Sequence, residues 1–251
     1  MHFSLRIALA SLATHKLRAV LAMLGVFLGA LALTGVQHMS LAMVRKAEAE
    51  VAKLGPNLFM ARAGQLRFRR AGVSVGAEPH TFTLADAQAL ATGMPAVLDS
   101  APFTARNMPA RKGDTTVLCQ MVGTIPAYQR VRSFRPEHGR FFTEEENAAG
   151  AKVCALGRTI AERLFRRPEA AVGQEVYVFR AALRVIGVME AKGADIAGTD
   201  QDEQVFVPLA TAMRRLGNQD WISGSYLELA PGADPEAAKA AALAILRSRH
   251  N

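Results

Sequence analysis

The feature that most constrains this chain is a long segment without charge near its beginning. From Ala19 to Val44 the sequence contains no Lys, Arg, Asp or Glu. As a helix this segment would be about 39 Å long, which exceeds the roughly 30 Å hydrocarbon core of a bilayer. The sequence therefore predicts a single transmembrane helix over residues 19–44, with residues 45–251 folded as a domain on one side of the membrane.

Charges on the two sides of this segment predict its orientation. Residues 1–18 carry Arg6, Lys16 and Arg18 without an acidic residue, whereas the segment after Val44 mixes basic and acidic side chains. Because Lys and Arg are retained on the cytoplasmic side, we expect residues 1–18 to form a cytoplasmic amphipathic leader and residues 45–251 to be extracytoplasmic. A cleaved signal peptide is one alternative, although its apolar stretch is usually about 7–15 residues long. A buried helix of a soluble protein is the other.

Small residues follow one face of the predicted helix. Gly25 and Gly29 form a G-x-x-x-G step, and Ala22 and Ala32 lie on or near the same face. Small side chains allow another helix to approach closely, and in lipid such contact drives association. The pattern predicts helix packing through Ala22, Gly25, Gly29 and Ala32, and the general abundance of glycine in membrane helices is the other interpretation.

The rest of the chain combines short strands with capped helices. Half of the residues are hydrophobic and 21% are charged, which is typical of a folded domain and excludes a protein with many spans. Thr83 with Asp86 and Thr143 with Glu146 match the capping box that begins a helix, and Asp234 precedes a first-turn proline. We expect helices over about 84–92, 158–166 and 235–248, and strands over 58–62, 115–122, 152–156, 174–180, 183–189, 205–207 and 222–229. Residues 63–80 are expected to be a solvated loop and 96–110 an extended segment interrupted by prolines, so the fold class is α+β, or mixed α/β.

The sequence contains one catalytic motif, but the segments on its two sides do not fit the structure that the motif requires. Gly72-Val-Ser-Val-Gly76 fits G-x-S-x-G, but a nucleophile elbow needs a strand before the serine and a helix after it. The segment before it is rich in arginine, and Glu78-Pro79 follows it without a helical pattern. We therefore expect no enzyme activity, and a membrane-anchored hydrolase built on Ser74 is a remote alternative.

The acidic and basic residues do not predict a metal or nucleic-acid site. Asp195, Asp200, Asp202 and Glu203 lie in one segment, but their spacing is not that of a calcium-binding loop. The six histidines are scattered, and no glycine-rich phosphate-binding loop is present. A net charge of +8 is weak support for nucleic-acid binding, and an extracytoplasmic location argues against it. No cofactor is expected.

Cys119 and Cys154 both lie in predicted apolar strands. If those strands adjoin in an oxidising compartment, the two residues could form a disulfide that stabilises the fold. Two buried free thiols are the other outcome, and the sequence leaves both open.

Ordered sequence landmarks lie along nearly the whole chain. They are Leu12-Ala-Thr-His-Lys-Leu-Arg18, Leu21-Ala-Met-Leu-Gly-Val-Phe-Leu-Gly29, Leu54-Gly-Pro-Asn-Leu58, Gly123-Thr-Ile-Pro-Ala-Tyr128, Gly139-Arg-Phe-Phe-Thr143, Leu156-Gly157, Leu164-Phe165, Val185-Ile-Gly-Val188, Val205-Phe-Val-Pro-Leu209 and Leu246-Arg-Ser-Arg-His250. In their order and spacing they resemble the N-terminal part of the MacB/FtsX family of ABC-transporter permeases. The resemblance implies that residues 45–251 are a MacB-like periplasmic core domain with a porter-like and a β-rich subdomain, held in the bacterial inner membrane.

The resemblance also implies partners and a function. It implies a homodimer or paired permease, a periplasmic adaptor, and an ABC ATP-binding subunit that is separate because Met1 begins directly at the leader. The family continues into three more spans, so we expect this chain to be the N-terminal part, or a shortened form, of a permease that couples ATP hydrolysis to movement of its periplasmic domain. The alternative is a membrane-anchored periplasmic binding or regulatory module without a transport role.

Overall fold

The computed structural model of the chain describes residues 16–53, 57–62, 64, 66–69, 72–75, 80–194 and 200–250. The chain divides into two compact units between Ala49 and Glu50. The predicted apolar helix lies within α1, Lys16–Lys53. Its most apolar window, Met23–Ser40, has a mean hydropathy of 1.4, its side chains are exposed, and it is long enough to cross a membrane. It is the single helix of that length and composition among the described residues.

The second unit contains short helices and a large sheet. The strands are β1 Leu58–Arg62, β2 Leu66–Arg69, β3 Gly72–Val75, β4 Val97–Lys112, β5 Thr115–Thr124, β6 Pro136–Gly139, β7 Val153–Leu156, β8 Glu175–Val178, β9 Ala181–Met189, β10 Gln204–Pro208 and β11 Gly224–Leu229. The helices are α2 Leu84–Gly93, α3 Tyr128–Val131, α4 Glu144–Ala148, α5 Arg158–Phe165, α6 Leu209–Thr211, which continues as a π-helix over Ala212–Gly217, and α7 Pro235–Arg249; two 3₁₀ turns cover Pro168–Ala171 and Gln201–Glu203.

Within the described residues, nine strands form one sheet in the order β1-β11-β4-β5-β10-β7-β9-β6, and β8 pairs with both β4 and β9. Because β8 joins β4 to β9, the strands β4, β5, β10, β7, β9 and β8 close into a ring. On the other side of β4, β11 and β1 extend the sheet. The unit thus has a β-rich part built on the ring and an α+β part that shares β4 with it.

Three apolar cores hold these parts together. Helix α5 contributes Ile160 to a core with ring-strand residues such as Leu156 and Val176, all of them fully buried. An aromatic core contains Phe134 and Phe206, whose rings pack edge to face with centroids 5.2 Å apart. The third core packs α2 and α7 against β1 and β11. Burial of these aliphatic and aromatic side chains provides most of the driving force for folding.

Strand β4 differs from the prediction, because it runs without a break through Pro102 and Pro109. A proline lacks only its own N–H, and its carbonyl can still accept. The Pro109 carbonyl accepts a hydrogen bond from the N–H of Phe179 (2.9 Å), and the Pro102 carbonyl accepts one from the Thr124 hydroxyl (2.9 Å). Pairing on both sides therefore keeps the strand extended, and the predicted interruption is wrong.

Two further predictions are corrected in the hairpins. Residues 63–80 were expected as a loop, but β2 and β3 pair antiparallel from Leu66 opposite Val75 to Arg69 opposite Gly72. The predicted strands 174–180 and 183–189 imply a connection at residues 181–182, but β8 and β9 are connected at Phe179-Arg180. Phe179 has a φ of 55° there, a left-handed conformation that usually requires glycine. A phenylalanine gives no sequence signal for such a turn.

Candidate functional site

A half-open cleft of about 530 Å³ lies between α2, the first half of β4, and α6. Its apolar wall is formed by Leu84, Ala87, Pro102, Ile125, Leu209 and Met213. Polar groups reach it from Gln88, Ser100, Asn147, Arg214 and Gln219. A concave apolar surface with a few converging polar groups is the arrangement typical of small-molecule sites.

One side of the cleft is α2, whose first turn is fixed by its capping box. The Thr83 N–H donates to the Asp86 carboxylate (2.8 Å), and the Asp86 N–H donates to the Thr83 hydroxyl (3.3 Å). The Asp86 side chain is only 2% exposed, and it also accepts a hydrogen bond from Arg249 Nε (2.6 Å) and contacts His250 Nε2 (3.0 Å). This carboxylate therefore ties the end of α7 to the beginning of α2.

The environment of Asp86 stabilises its charged form. Burial alone raises the pKa of a carboxyl, but the hydrogen bonds from Arg249, Thr83 and His250 outweigh it and lower the pKa of Asp86 from 3.8 to about 2. The group is thus ionised over the whole physiological range, and the contact between the two helices is an ion pair.

The opposite side of the cleft is α6 and its π-helical continuation, Ala212–Gly217. The helix approaches β5 closely: a Cβ atom at Gly123 would clash with Ala212. After the helix, the Gln219 amide donates to the Thr104 hydroxyl and to the Trp221 carbonyl, both at 2.9 Å. π-Helical turns interrupt the regular hydrogen-bond ladder and are frequent at functional sites.

The helix-packing residues predicted from the sequence lie in α1 and not at the cleft. Ala22, Gly25, Gly29 and Ala32 are all helical, and Ala32 is exposed. A Cβ atom added at Gly25 or Gly29 would meet nothing within 4 Å. The face is therefore open in the single chain, and its packing against a second helix stays a prediction.

Cys119 and Cys154 lie in β5 and β7 as predicted, and β10 lies between these strands. Both residues are buried free thiols in the same core. The Cys119 thiol donates to the Met108 carbonyl (3.2 Å), and burial raises its pKa to about 12. Burial raises the pKa of Cys154 as well, so both groups are protonated and unreactive at neutral pH.

The G-x-S-x-G segment is not a nucleophile elbow. Ser74 lies inside β3, opposite Arg67 of β2 in a two-stranded hairpin. A nucleophilic serine of this type needs a sharp turn between a strand and a helix. The backbone position of Ser74 therefore agrees with the interpretation that the motif is present in form only.

The described side chains of the acidic segment 195–203 make structural contacts within the domain. Asp195 lies outside the described residues, while Asp200 caps the 3₁₀ turn by accepting the Asp202 N–H (2.8 Å). The Asp202 carboxylate accepts two backbone N–H groups of the preceding loop, at 2.7 and 2.8 Å, and Glu203 pairs with Arg163 (2.6 Å). Among the described residues, no group of three or more His, Cys, Asp or Glu is placed to hold a metal ion.

The cleft itself was not found from the sequence. Its lining residues come from five separate stretches of chain, near 84–88, 100–102, 125, 147–148 and 209–219. They are mostly apolar or uncharged and follow no motif, so only the folded arrangement brings them together. The wall formed by α6 begins directly after Pro208.

Comparison with known proteins extends over almost the whole chain. The family model of the MacB-like periplasmic core domain matches residues 19–245. A macrolide export ATP-binding/permease protein MacB of Bdellovibrio bacteriovorus is 30% identical over 250 residues, covering 96% of this chain and 36% of that protein. The protein of the same name from Hyphomonas neptunium is 31% identical over 247 residues, covering 98% of this chain and 38% of that protein. This chain therefore spans little more than a third of the length of these relatives.

Solved structures share the fold. The crystal structure of the periplasmic region of MacB from Actinobacillus actinomycetemcomitans has a TM-score of 0.66 and 19% identity, covering 80% of this chain and 87% of that one. The extracellular domain of the ABC-type transporter YknZ from Gram-positive bacteria has a TM-score of 0.59 and 20% identity, covering 77% and 95%. These similarities confirm the predicted mixed α/β fold. Because the family model matches most of its length, the chain belongs to the MacB-like periplasmic core domain family.

Proposed function

We propose that this chain is the N-terminal part of a permease component in an ABC-type export or mechanotransmission complex. The observation that carries the proposal is the family match, which runs from residue 19 through the apolar helix and the folded unit to residue 245. These relatives are macrolide export ATP-binding/permease proteins, whose name joins ATP binding to a permease. In the proposed complex, a separate ABC subunit hydrolyses ATP in the cytoplasm and the resulting motion reaches the domain outside.

Helix α1 is suited to transmit such motion. It extends over 38 residues and contains no proline, so it forms a rod about 57 Å long. Sharp kinks in helices occur mostly at proline or at irregular turns. A rod longer than the bilayer can carry a displacement from its cytoplasmic end to residues beyond the opposite surface.

We place the chain in the bacterial inner membrane with residues 1–18 in the cytoplasm, 19–44 in the bilayer and 45–251 in the periplasm. The unbalanced positive charge of Arg6, Lys16 and Arg18 supports this orientation. Two copies, or two related permeases, would pair in the membrane through the face of Gly25 and Gly29, where the backbone is unobstructed.

An exposed apolar patch supports contact with a further partner outside the membrane. Leu118, Phe179 and Tyr177 are 66%, 50% and 41% exposed. These three residues lie together around one stretch of β4. Pro109 pairs with Leu118, and its carbonyl accepts a hydrogen bond from the N–H of Phe179. Two residues further along β4, Arg111 pairs with Tyr177. Exposed clusters of large apolar side chains mark interaction sites. We propose that a periplasmic adaptor docks on this patch.

The experiment that tests the proposed function is purification of the natural gene product, expressed with its neighbouring genes, through a C-terminal tag. We expect an ABC ATP-binding subunit to co-purify in a fixed ratio and to hydrolyse ATP. A stable product that carries no ATPase would contradict the permease assignment and would favour the membrane-anchored binding or regulatory module.

A further inference from the structure

We propose that the cleft between α2 and α6 binds a small amphipathic anion, with the anionic group against Arg214 and the apolar body against the wall of α2 and β4. This assignment goes beyond the proposed function, since it concerns the folded unit itself and would hold whether or not the chain takes part in transport.

The volume of the cleft supports a small ligand. At about 530 Å³ it lies within the range of roughly 300–1,000 Å³ that is typical of small-molecule pockets. The cleft is half open, so part of a bound molecule would face the solvent. Such a space suits a molecule of one or two rings with a polar group at the opening, and it does not suit the two acyl chains of a phospholipid.

The wall of the cleft has an apolar part and a polar part. The apolar part is formed by Leu84, Pro102 and Leu209. Leu84 belongs to α2 on one side of the cleft, and Leu209 belongs to α6 on the other. Burial of a ligand's apolar body there removes hydrocarbon from water on both partners, which favours binding by about 25 cal/mol for each Å². Gln88 and Ser100 add hydrogen-bonding groups beside this surface.

The charge of the cleft is positive. Arg214 is exposed and is the single charged residue among the described residues that line it. Among the described residues of the second unit, no carboxylate forms an ion pair with Arg214, whereas at least one such pair is formed by each of Arg130, Arg140, Arg158, Arg163 and Arg249. A guanidinium group binds carboxylate and sulfonate oxygens through paired, charge-assisted hydrogen bonds.

The π-helix places Arg214 at this position. Met213 and Arg214 both belong to the π-helical turn and both line the cleft, while the next residue, Arg215, is exposed and does not line it. Arg214 therefore lines the cleft while its neighbour Arg215 does not, so substitutions of these two residues provide a matched pair of variants.

The sole tryptophan of the chain offers a local reporter. Trp221 pairs with Thr83, next to Leu84 of the cleft, and its carbonyl accepts from the Gln219 amide, which lines the cleft. Energy transfer from Trp221 to a dansyl group falls steeply with distance, so it is strongest for a probe bound at this place. The test uses the full chain in a non-ionic amphipol, with dansylglycine as the anionic probe and dansylamide as the neutral probe.

We expect saturable transfer to dansylglycine, with an affinity about tenfold higher than for dansylamide, the effect of one charge-assisted contact. Arg214→Gln should bring the two affinities to the same value, whereas Arg215→Gln should leave the tenfold difference unchanged. Ala210→Phe, which fills the cleft, should weaken both probes while the thermal melt shows that the domain is folded.

Three results with the two probes and the arginine variants would overturn the proposal: no saturable transfer with either probe, equal affinities in the unmodified chain, or equal losses from Arg214→Gln and Arg215→Gln. Anionic phospholipid added to the amphipol should not displace dansylglycine, and displacement would contradict the assignment to a free small molecule. Since Arg214 is exposed, its substitution tests the site without depending on how well the core tolerates Ala210→Phe.

Discussion

At the scale of single residues, Asp86 has an unusual position, because one buried carboxylate serves the start of α2 and the end of α7 at once. Its partner Arg249 lies 163 positions along the chain. Such a contact is made only in the folded domain, so its energy contributes to the packing of α7 on α2, the helix that lines one side of the cleft.

We predict that Asp86→Asn lowers the free energy of unfolding by about 1–3 kcal/mol, the usual effect of losing a hydrogen bond to a charged group. The matched control is Asp99→Asn, which breaks the ion pair with Arg130, whose side chain is 70% exposed. Exposed pairs contribute at most about 1 kcal/mol. Thermal melts of both variants provide the measurement, and equal shifts would contradict the role given to Asp86.

The same residue predicts a pH dependence. Since the pKa of Asp86 is lowered from 3.8 to about 2 in the folded state, its contribution is complete above the unfolded value and is lost as the pH falls toward 2. The unmodified chain should therefore lose more stability between about pH 4 and pH 2 than Asp86→Asn does. Parallel loss in the two proteins, measured by melting temperature, would refute this linkage.

The buried cysteines make a test of topology possible. Cys119 and Cys154 are 3% and 0% exposed, and burial raises the pKa of both thiols, so we predict no reaction with a membrane-impermeant maleimide. Asp114→Cys, in the exposed turn between β4 and β5, should react in intact spheroplasts. Ser4→Cys should react only after the membrane is opened, and the reverse order would contradict the orientation proposed above.

At the scale of elements, the face of α1 predicts pairing in the membrane. Gly25→Leu or Gly29→Leu should weaken self-association about tenfold, because a large side chain prevents close approach of the helices. Gly35→Leu is the control, since Gly35 is equally open but lies about 100° away around the helix. Energy transfer between labelled copies in bilayers measures the effect, and equal weakening by all three changes would argue against this face.

Replacing Phe179 in the hairpin turn is expected to change the stability of the domain and the binding of the adaptor in opposite directions. A left-handed conformation costs a side-chain-bearing residue about 1–2 kcal/mol, part of which is offset here by Arg180 lying 5.1 Å from the ring. We predict that Phe179→Gly raises the free energy of unfolding by about 1 kcal/mol and weakens adaptor binding. Arg180→Gly should not stabilise the domain, and stabilisation by that change would show that left-handed strain is not the cause.

The elements that could be predicted from the sequence are those defined by local chemistry. The capping boxes at Thr83 and Thr143 begin α2 and α4 as expected, because their hydrogen bonds join residues three apart. Strand β4 could not be predicted through Pro109, since that depends on pairing with a hairpin 70 positions away. The cleft could not be predicted for the same reason, because α2 and α6 are far apart in the chain and line the same cleft only in the folded domain.

At the scale of the whole molecule, the ring and the α+β part share strand β4, so the two parts of the folded unit are joined by a continuous strand. Load applied to β1 would pass through β11 to β4 and from there into the ring, because hydrogen-bonded strands resist shear. We therefore expect the folded unit to move as one body under the ATP-driven displacement of helix α1 that is proposed above.

The measurement that tests this mechanism most directly is the distance between spin labels at Asp114→Cys in the two copies of the purified complex in nanodiscs. Because the two native thiols are buried, the spin label reacts only with the introduced cysteine. We predict that addition of ATP and Mg²⁺ shifts the distance distribution and that hydrolysis returns it. An unchanged distribution while the complex hydrolyses ATP would contradict the coupling of ATP hydrolysis to motion of the periplasmic domain.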